Sequence, residues 1–354
     1  MHAISSTDPD PPTDSVARHV DPRHLSIWSW AGLAGLTIGA LSAGQSRMNG
    51  TLSSAFAEPL YAALWNFGSG WVLLTLVLVG SSRTRAGLRA IITAVRGRRL
   101  LWWQAIGGLL GATYVLVQSF AVPLAGVALF TVGVVGGQTG SGVIVDRFGL
   151  GPSGRSRVTA VRVAAAVVAT VGVAIAVSGR FNVASSAVLL PVALAVVVGG
   201  LQAVQSAING QVNVVTGTPW ATAWLNFTLG LALLGVLAVV RLAGGSLSAP
   251  VVPVAPTAAA TPWWVWFGGV IGVVFVGVVA VVVRHLGVLH TMLVLLTGQL
   301  GAAMAIDLIS PATRHTVDVV VVTGLVVTAF GAALPTLRTW VAGTRRRPSP
   351  DAHS

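Results

Sequence analysis

The sequence predicts an all-α integral membrane protein, with ten transmembrane helices arranged as two inverted five-helix repeats. Of its 354 residues, 54% are hydrophobic and only 8% are charged, which is far outside the range of soluble domains. Its apolar runs are continuous, whereas a membrane barrel shows alternating segments of about ten residues. A set of polar residues also occurs twice, at the same spacing, in the two halves of the chain.

The ten spans are apolar windows of about 20 residues, the length that crosses a hydrocarbon core of about 30 Å. They lie at 27–46, 60–80, 101–122, 124–145 and 158–178 in the first half, and at 187–207, 220–240, 263–283, 286–306 and 317–337 in the second. Residues 101–145 form one apolar run without a charge to mark a turn. A helix of that length would be about twice as long as the bilayer core is thick, so we expect a break at Val122-Pro123.

Polar segments flank the spans. Residues 1–25 are rich in Pro and Asp, and residues 341–354 are basic, so both are predicted to be disordered cytoplasmic tails. The two repeats then cover 26–180 and 181–340. The first apolar run is long enough to stay as a span, so no cleaved signal peptide is expected. The absence of Cys excludes disulfides and thiolate metal sites.

The net charge of +12 comes from 21 basic residues, all of them Arg. In a soluble protein such a balance would suggest nucleic acid binding, but topology explains it better here. With the N-terminus in the cytoplasm, only Arg47, Arg180, Arg241 and Arg314 lie outside, and all other Arg residues lie inside. This bias follows the positive-inside rule and places both termini in the cytoplasm. The expected partner is therefore the lipid bilayer and not nucleic acid.

The repeat is visible when residues 45–74 are aligned with 205–234 without gaps. The matched pairs include Gln45/Gln205, Ser46/Ser206, Asn49/Asn209, Gly50/Gly210, Pro59/Pro219, Asn66/Asn226, Phe67/Phe227 and Gly70/Gly230. After a shift of one residue the register continues through Trp102/Trp263, Gly107/Gly268, Gly111/Gly272, Gln138/Gln299, Gly140/Gly301 and Asp146/Asp307. Compositional bias supplies Ala, Gly and Leu, but it does not place Asn, Gln and Pro in register. The chain is therefore a duplicated unit of five spans.

Five is an odd number of spans, so the second copy must enter the membrane from the opposite side. Many secondary transporters are built from such inverted repeats and bind cargo near the midplane between the halves. The sequence thus favours a transporter that works by alternating access. A purely structural duplication and a non-transporting scaffold or receptor stay open. A membrane-embedded enzyme is disfavoured, because no His-x-x-x-His, Cys ligand or Gly-x-Ser-x-Gly pattern occurs.

The repeated motifs resemble a known family. The order Gln-Ser, Asn-Gly, Pro, Asn-Phe-x-x-Gly, then Gly-Gln and the sequence VDRFG at 145–149, is similar to the YdcZ-like branch of the drug/metabolite transporter superfamily, in a fused two-copy form. The late family motif usually reads Asp-His-Phe-Gly. Here Arg147 replaces the His, and the second copy keeps only Asp307. The resemblance implies a ten-helix carrier of the bacterial inner membrane that exports a small organic metabolite or drug-like compound.

Gln138 and Gln299 are the first candidates for binding that cargo. Each lies about two thirds along its span, beside small residues such as Gly140 and Gly301, and an isolated polar group in hydrocarbon needs a partner or a purpose. The alternative is a hydrogen bond that ties two helices together. Asn66 and Asn226, two turns into their helices, are expected to form the next shell of the site.

Four further amides and two carboxylates lie nearer the ends of the spans. The amide pairs Gln45 with Asn49, and Gln205 with Asn209, are spaced i, i+4 and share a face if their helices continue that far. We expect them to serve in gating or at helix ends as readily as in binding. Asp146 and Asp307 end their spans on opposite sides, where an interfacial, solvated carboxylate is the simpler interpretation.

Trp65 and Trp224 each precede an Asn and would stack on an organic cation or an aromatic cargo, although lipid-facing positions explain them equally well. The spans contain few charges, and the buried carboxylate of a proton-coupled multidrug carrier is missing from the pattern. A neutral or zwitterionic cargo is therefore expected, with no cofactor and no metal. The sequence leaves open whether two copies form a homodimer.

Overall fold

The computed structural model describes residues 22–151, 154–155, 159–178, 187–243 and 261–345, and within these ranges it is helical and contains no strand. The α-helices of the described ranges are α1 (Pro22–Phe56), α2 (Pro59–Gly80), α3 (Ser82–Arg96), α4 (Gly107–Phe148), α5 (Ala160–Ser178), α6 (Leu189–Thr216), α7 (Pro219–Ala243), α8 (Gly268–Ile309) and α9 (Val319–Arg345). The predicted all-α fold is therefore confirmed.

Seven segments of the described chain are long and apolar enough to cross a membrane. They are Pro59–Gly80, Gly107–Phe148, Ala160–Ser178, Leu189–Thr216, Pro219–Ala243, Trp263–Val282 and His290–Ile309. A shorter apolar segment, Val319–Pro335, lies in α9. The segment Trp263–Val282 begins in a short 3-10 helix, Trp263–Phe267, and continues into α8, which also contains His290–Ile309. Helix α4, with 42 residues, contains a single segment of the seven.

The break in α4 lies at Gly126 and not at Val122-Pro123. The backbone of Gly126 has φ 81° and ψ 168°, while Pro123 stays inside the helix. Glycine reaches positive φ without the steric cost that a Cβ brings, so the chain turns at the first glycine after the proline. At about 1.5 Å per residue, the 42 residues of α4 would otherwise extend for about 63 Å, twice the thickness of the bilayer core.

Helical structure extends further toward both chain ends than the sequence suggested. Helix α1 begins at Pro22, before the expected end of the N-terminal tail at residue 25, and α9 continues to Arg345, past residue 340. The remaining parts of both predicted tails, residues 1–21 and 346–354, lie outside the described residues. Helix α1 also continues beyond its predicted span to Phe56, so Gln45 and Asn49 do lie on one helix face.

Helix α3 is an amphipathic helix that the span assignment did not include. The side chain of Ser81 caps it by accepting a hydrogen bond from the backbone N–H of Thr84, at 3.2 Å. Its buried face includes Ile91 and Ala94, which pack against Val212 of α6. The opposite face carries arginines, so α3 is too polar to span a bilayer and covers one end of the bundle.

The main helix contacts join the first half of the chain to the second. Helix α1 packs on α8, α4 on α6, α2 on α7 and α5 on α9. Small residues bring these backbones together: a Cβ at Gly39 would clash with the carbonyl oxygen of Leu295, and one at Gly199 with that of Val134. Since these glycines are equivalent in the two repeats, the two largest interfaces are built in the same way.

The equivalent helices α2 and α7 pack antiparallel. The indole N–H of Trp71 donates to Thr228 Oγ1 and that of Trp224 donates to Thr75 Oγ1, both at 3.0 Å. Contacts therefore move backward along α7 as they move forward along α2. At the same interface the rings of Phe67 and Phe227 lie 5.0 Å apart, so equivalent residues meet each other.

Candidate functional site

A cavity of about 350 Å³ lies at the centre of the bundle, between helices of both halves. Its lining consists of Gly39, Ser42, Gln45, Asn66, Phe67, Gly111, Tyr114, Val115, Gln118, Gln138, Gln202, Gln205, Ser206, Phe227, Gly272, Phe275, Val279, Met292, Leu295, Leu296 and Gln299. A second cavity of about 210 Å³ continues to Asn209 and Asn226, and it shares six lining residues with the first: Phe67, Gln202, Gln205, Ser206, Phe227 and Phe275. We call the two together the central cavity.

Six glutamines dominate the polar lining of the larger cavity. Three come from the first half and three from the second, namely Gln45, Gln118, Gln138, Gln202, Gln205 and Gln299. Each amide offers two N–H donors and a carbonyl acceptor without carrying a charge. Among the described residues that line either cavity, none is Asp, Glu, Arg or His. The cavity can therefore form many hydrogen bonds but offers no counter-ion.

The structure brings Gln138 and Gln299, the first sequence candidates, into this cavity from α4 and α8. The amide of Gln138 donates to Gln202 Oε1 of α6 at 2.5 Å, so it ties two helices while it faces the cavity. The amide of Gln299 forms no hydrogen bond with the described part of the chain. Gln205 of the same lining also forms no side-chain hydrogen bond with the described residues, so Gln205 and Gln299 are the two lining glutamines whose hydrogen bonding depends most on what enters the cavity.

Asn66 and Asn49 belong to a buried chain of hydrogen bonds in the first half. Asn66 Nδ2 donates to Asn49 Oδ1 at 2.9 Å, and Asn49 Nδ2 donates to Gln118 Oε1 at 2.6 Å. Gln118 Nε2 then donates to Ser46 Oγ at 2.8 Å. Asn49 is only 1% exposed, so it lies in the packed core and not at a mouth of the bundle.

The equivalent amides of the second half face open space. Asn209 and Asn226 line the smaller cavity beside Gln205. The residue that aligns with Gln118 in the second copy is Val279, which cannot accept a hydrogen bond from Asn209. In the first half the asparagines are therefore joined to Gln118 by hydrogen bonds. In the second half the equivalent asparagines line the cavity instead.

Gln45 and Gln205, which were expected in gating or at helix ends as readily as in binding, lie inside α1 and α6 and not at the ends of these helices. Both line the central cavity, and Gln45 Nε2 donates to the carbonyl oxygen of Gly268 at 2.7 Å. Trp65 and Trp224 lie outside the central cavity. Trp65 is 42% exposed at the surface, and its indole N–H donates to the carbonyl oxygen of Trp266. Trp224 packs beside Leu74 in the contact between α2 and α7.

The two carboxylates differ from each other. Asp146 is partly exposed and pairs with Arg162, whose Nη1 lies 2.6 Å from its Oδ2. Asp307 has an exposure of 0%, so it is not the solvated interfacial group that the sequence suggested. Its Oδ2 accepts a hydrogen bond from the backbone N–H of Ala128, just after the break in α4.

Sequence reasoning missed Gln118, Gln202, Ser206 and Tyr114 as lining residues. Gln118 and Gln202 align with Val279 and Ser42, so a search for matched polar pairs discards them. The available signal was their position: each is a polar residue inside an apolar run, where an unpaired amide is costly. In the described ranges, no group of three or more His, Cys, Asp or Glu could hold a metal ion.

Comparison with protein families gives one match. The family model described as "Putative inner membrane exporter, YdcZ" matches residues 30–175 and, a second time, residues 190–334. The two matched segments cover most of the chain and correspond to the two copies of the repeat. No curated protein and no solved structure matches the chain.

Proposed function

This chain belongs to the YdcZ family of inner membrane exporters, and on that premise we propose that its central cavity carries an uncharged, hydrogen-bonding organic molecule out of the cell. The observation that carries this proposal is the set of six glutamines that line the cavity from both halves, without any charged residue in the described lining. Cargo in an inverted-repeat carrier must be reachable from both sides, so its ligands are expected from both copies.

The polarity of the residues that line the cavity indicates which class of cargo it binds. Moving an ion into a cavity without counter-charge carries a large desolvation cost, whereas hydroxyl, amide and carbonyl groups can pair with glutamine side chains. The aromatic rings of Tyr114, Phe67, Phe227 and Phe275 add apolar faces to the same wall. The cargo is therefore a neutral compound with polar groups around an apolar face, of a size that fits the central cavity, whose two parts have volumes of about 350 and about 210 Å³.

The proposed architecture has ten spans, with α4 and α8 each contributing two. Four contacts between connecting segments support it, since each joins segments that this topology places on the same side. Glu58 forms an ion pair with Arg241 at 3.7 Å and Arg47 donates to Ser310 at 2.8 Å, both on the outer side. On the cytoplasmic side the contacts are Arg83 with Gly217 and Gln211 with Leu150.

Alternating access follows from the proposed symmetry. The equivalent interfaces α1 with α8 and α4 with α6 pack through matching glycines, so exchanging their conformations would open the opposite side of the membrane. The Arg-rich face of α3 lies on the cytoplasmic side in this topology, where anionic lipid headgroups attract arginine. Both chain termini are cytoplasmic, as the distribution of Arg predicts.

A ligand screen on the purified protein tests the proposal. Neutral and charged metabolites of matched size are compared by the rise in melting temperature, and we expect stabilisation by neutral hydrogen-bonding compounds alone. Gln138→Ala and Gln299→Ala should abolish this rise. Gln104→Ala is the matched control, because Gln104 is buried and bonded to Gln211 but lies outside the cavity lining. Equal stabilisation by charged compounds, or an unchanged response in both cavity variants, would refute the proposal.

A further inference from the structure

Asp307 occupies an unusual environment at the break in α4. Its side chain is fully buried, and Oδ2 accepts a hydrogen bond from the backbone N–H of Ala128 at 2.7 Å, in the first turn of the helix that restarts after Gly126. Oδ1 is also buried and has no hydrogen-bond partner in the described structure. An ionised carboxylate is costly to bury when one of its oxygens accepts no hydrogen bond. Binding of a proton removes that charge.

We propose that Asp307 is the proton-binding site that couples proton entry to cargo export, an inference that rests on the function proposed for the central cavity. The carboxylate takes up a proton while the outer side is open and releases it to the cytoplasm after the halves have changed conformation. No other bond is made or broken in this step. The energy of the inward proton gradient thereby drives the neutral cargo outward.

The two repeats differ in the partner of this carboxylate. Asp146, its equivalent in the first half, pairs with Arg162 at 2.6 Å. The reciprocal contacts of Gly172 and Gly331 align α5 with α9, and this alignment places Val321 at the position of Arg162. Val321 has an exposure of 0%. In the second half the acid is therefore buried, unlike Asp146, and an apolar residue occupies the place of the base.

The charged and titratable groups around Asp307 do not neutralise it. Those on the elements packed nearby are Arg47 on α1, Arg314 and His315 in the segment after α8, and Asp318 before α9. Arg47 donates to Ser310 Oγ at 2.8 Å, and Arg314, His315 and Asp318 are exposed. The ion pairs of the described residues do not include Asp307.

The outer end of the bundle offers a short polar route to Asp307. The hydroxyl group of Thr313 donates to the carbonyl oxygen of Asp307 at 3.4 Å, and that of Thr316 donates to the carbonyl oxygen of Thr313 at 2.6 Å. Both threonines are buried, while the neighbouring Arg314 is exposed. Two buried hydroxyl groups therefore lie beside the main chain of Asp307, on the side from which the proposed proton enters.

Asp307 also links the two helices that carry the main cargo amides. It lies about two turns after Gln299 on α8, and its Oδ2 holds the start of the α4 segment that carries Gln138. Protonation weakens a charge-assisted hydrogen bond and removes a negative charge from a helix N-terminus, both of which stabilise the contact. The α4 segment is then free to move relative to α8, which changes the spacing of Gln138 and Gln299.

Hydrogen–deuterium exchange of the wild-type protein in lipid nanodiscs tests this coupling without any cargo. After correction for intrinsic exchange rates, the amides of residues 127–131 should exchange about fivefold faster at mildly acidic than at mildly alkaline pH, as expected for loss of a helix cap. Asp307→Asn should remove this pH dependence, because Asn can cap the helix but does not titrate. Asp146→Asn, the repeat equivalent, should respond like the wild type.

A pH-independent wild type would overturn the proposal, as would a pH response that persists in Asp307→Asn or disappears in Asp146→Asn. The pH dependence of exchange in the wild-type protein tests the proposal by itself, even if Asp307→Asn does not insert into the membrane. With a cargo from the ligand screen, Asp307→Asn proteoliposomes should still exchange cargo for cargo but lose export driven by a proton gradient, and retained gradient-driven export would also overturn it. Failure of the cargo site would instead appear as unchanged ligand binding in Gln299→Ala.

Discussion

At the scale of single residues, the amides of the central cavity differ in their partners and not in their chemistry. Gln118 accepts from Asn49 and donates to Ser46, so its hydrogen bonds hold α1 and α4 together. Gln299 lines the same cavity but forms no hydrogen bond with the described residues. The first amide therefore contributes mainly to the stability of the fold, and the second is available to a ligand.

Replacing each of these amides by Val should separate the two roles. Gln118→Val introduces the residue that the second repeat carries at this position and leaves the Asn49 amide without its acceptor, so we expect a loss of about 1 kcal/mol of stability. Gln299→Val removes no hydrogen bond of the described structure and should leave the melting temperature close to that of the wild type. Thermal unfolding in detergent compares them, and equal destabilisation would contradict the assignment.

The backbone at Gly126 gives a second residue-scale prediction. An alanine there would adopt φ near 81° and place its Cβ 2.7 Å from Asp307 Oδ2, so Gly126→Ala should cost at least about 2 kcal/mol. Gly140→Ala is the control on the same helix, since a Cβ at Gly140 meets no atom within 4 Å. The melting temperatures of both variants check this, and a tolerated Gly126→Ala would mean that the α4 break is not needed for stability.

Matched polar residues made part of the site predictable from the sequence. Gln138 and Gln299 were expected in the cavity because they occur in register in both copies at a similar depth, and both line it. Gln118 and Gln202 were not expected, because their aligned positions hold Val279 and Ser42. A repeat search detects what the two halves share, so it does not find lining residues such as Gln118 and Gln202, whose equivalents differ.

At the scale of helices, the ten apolar windows fall on helical segments of the described chain. Only seven segments there are long and apolar enough to span a membrane, and the windows did not locate the helix ends or breaks. The window at 60–80 corresponds closely to α2 (Pro59–Gly80), since a proline and a polar turn mark its boundaries. The break in α4 was expected at Val122-Pro123 but occurs at Gly126, where Asp307 from a distant helix caps the restarted turn. Such a tertiary contact leaves no mark in a hydropathy pattern, and neither does the amphipathic helix α3.

Close packing between α1 and α8 gives an element-scale prediction. A Cβ at Gly39 would clash with the carbonyl oxygen of Leu295, so Gly39→Ala must push α1 away from α8 and should cost about 1–3 kcal/mol. Gly44→Ala lies on the same helix and meets no atom within 4 Å. Melting temperature and monodispersity of the two variants check the prediction, and equal behaviour would show that the approach of these helices is not limited by residue size.

At the scale of the whole molecule, the inverted arrangement is inferred from the number of membrane spans in each copy, which is predicted to be odd. An odd number of spans per copy would reverse the second copy, and the antiparallel contacts of α2 with α7 support the proposed reversal. This relation stays a prediction, which the sequence makes from the number of spans alone. The sequence could not predict how the halves interlock, because pairs such as α1 with α8 depend on which glycines face each other in three dimensions.

The proposed inverted topology places the segments after α4 and α8 on opposite sides of the membrane. The chain contains no Cys, so a single introduced Cys is the only thiol in the protein. Arg155 and Arg314 lie in these two equivalent segments, and both are exposed. In intact cells an impermeant maleimide should label Arg314→Cys but not Arg155→Cys, and Arg155→Cys should react only after the membrane is opened. Labelling of both from one side would require the two copies to run parallel, and alternating access between inverted repeats would then be excluded.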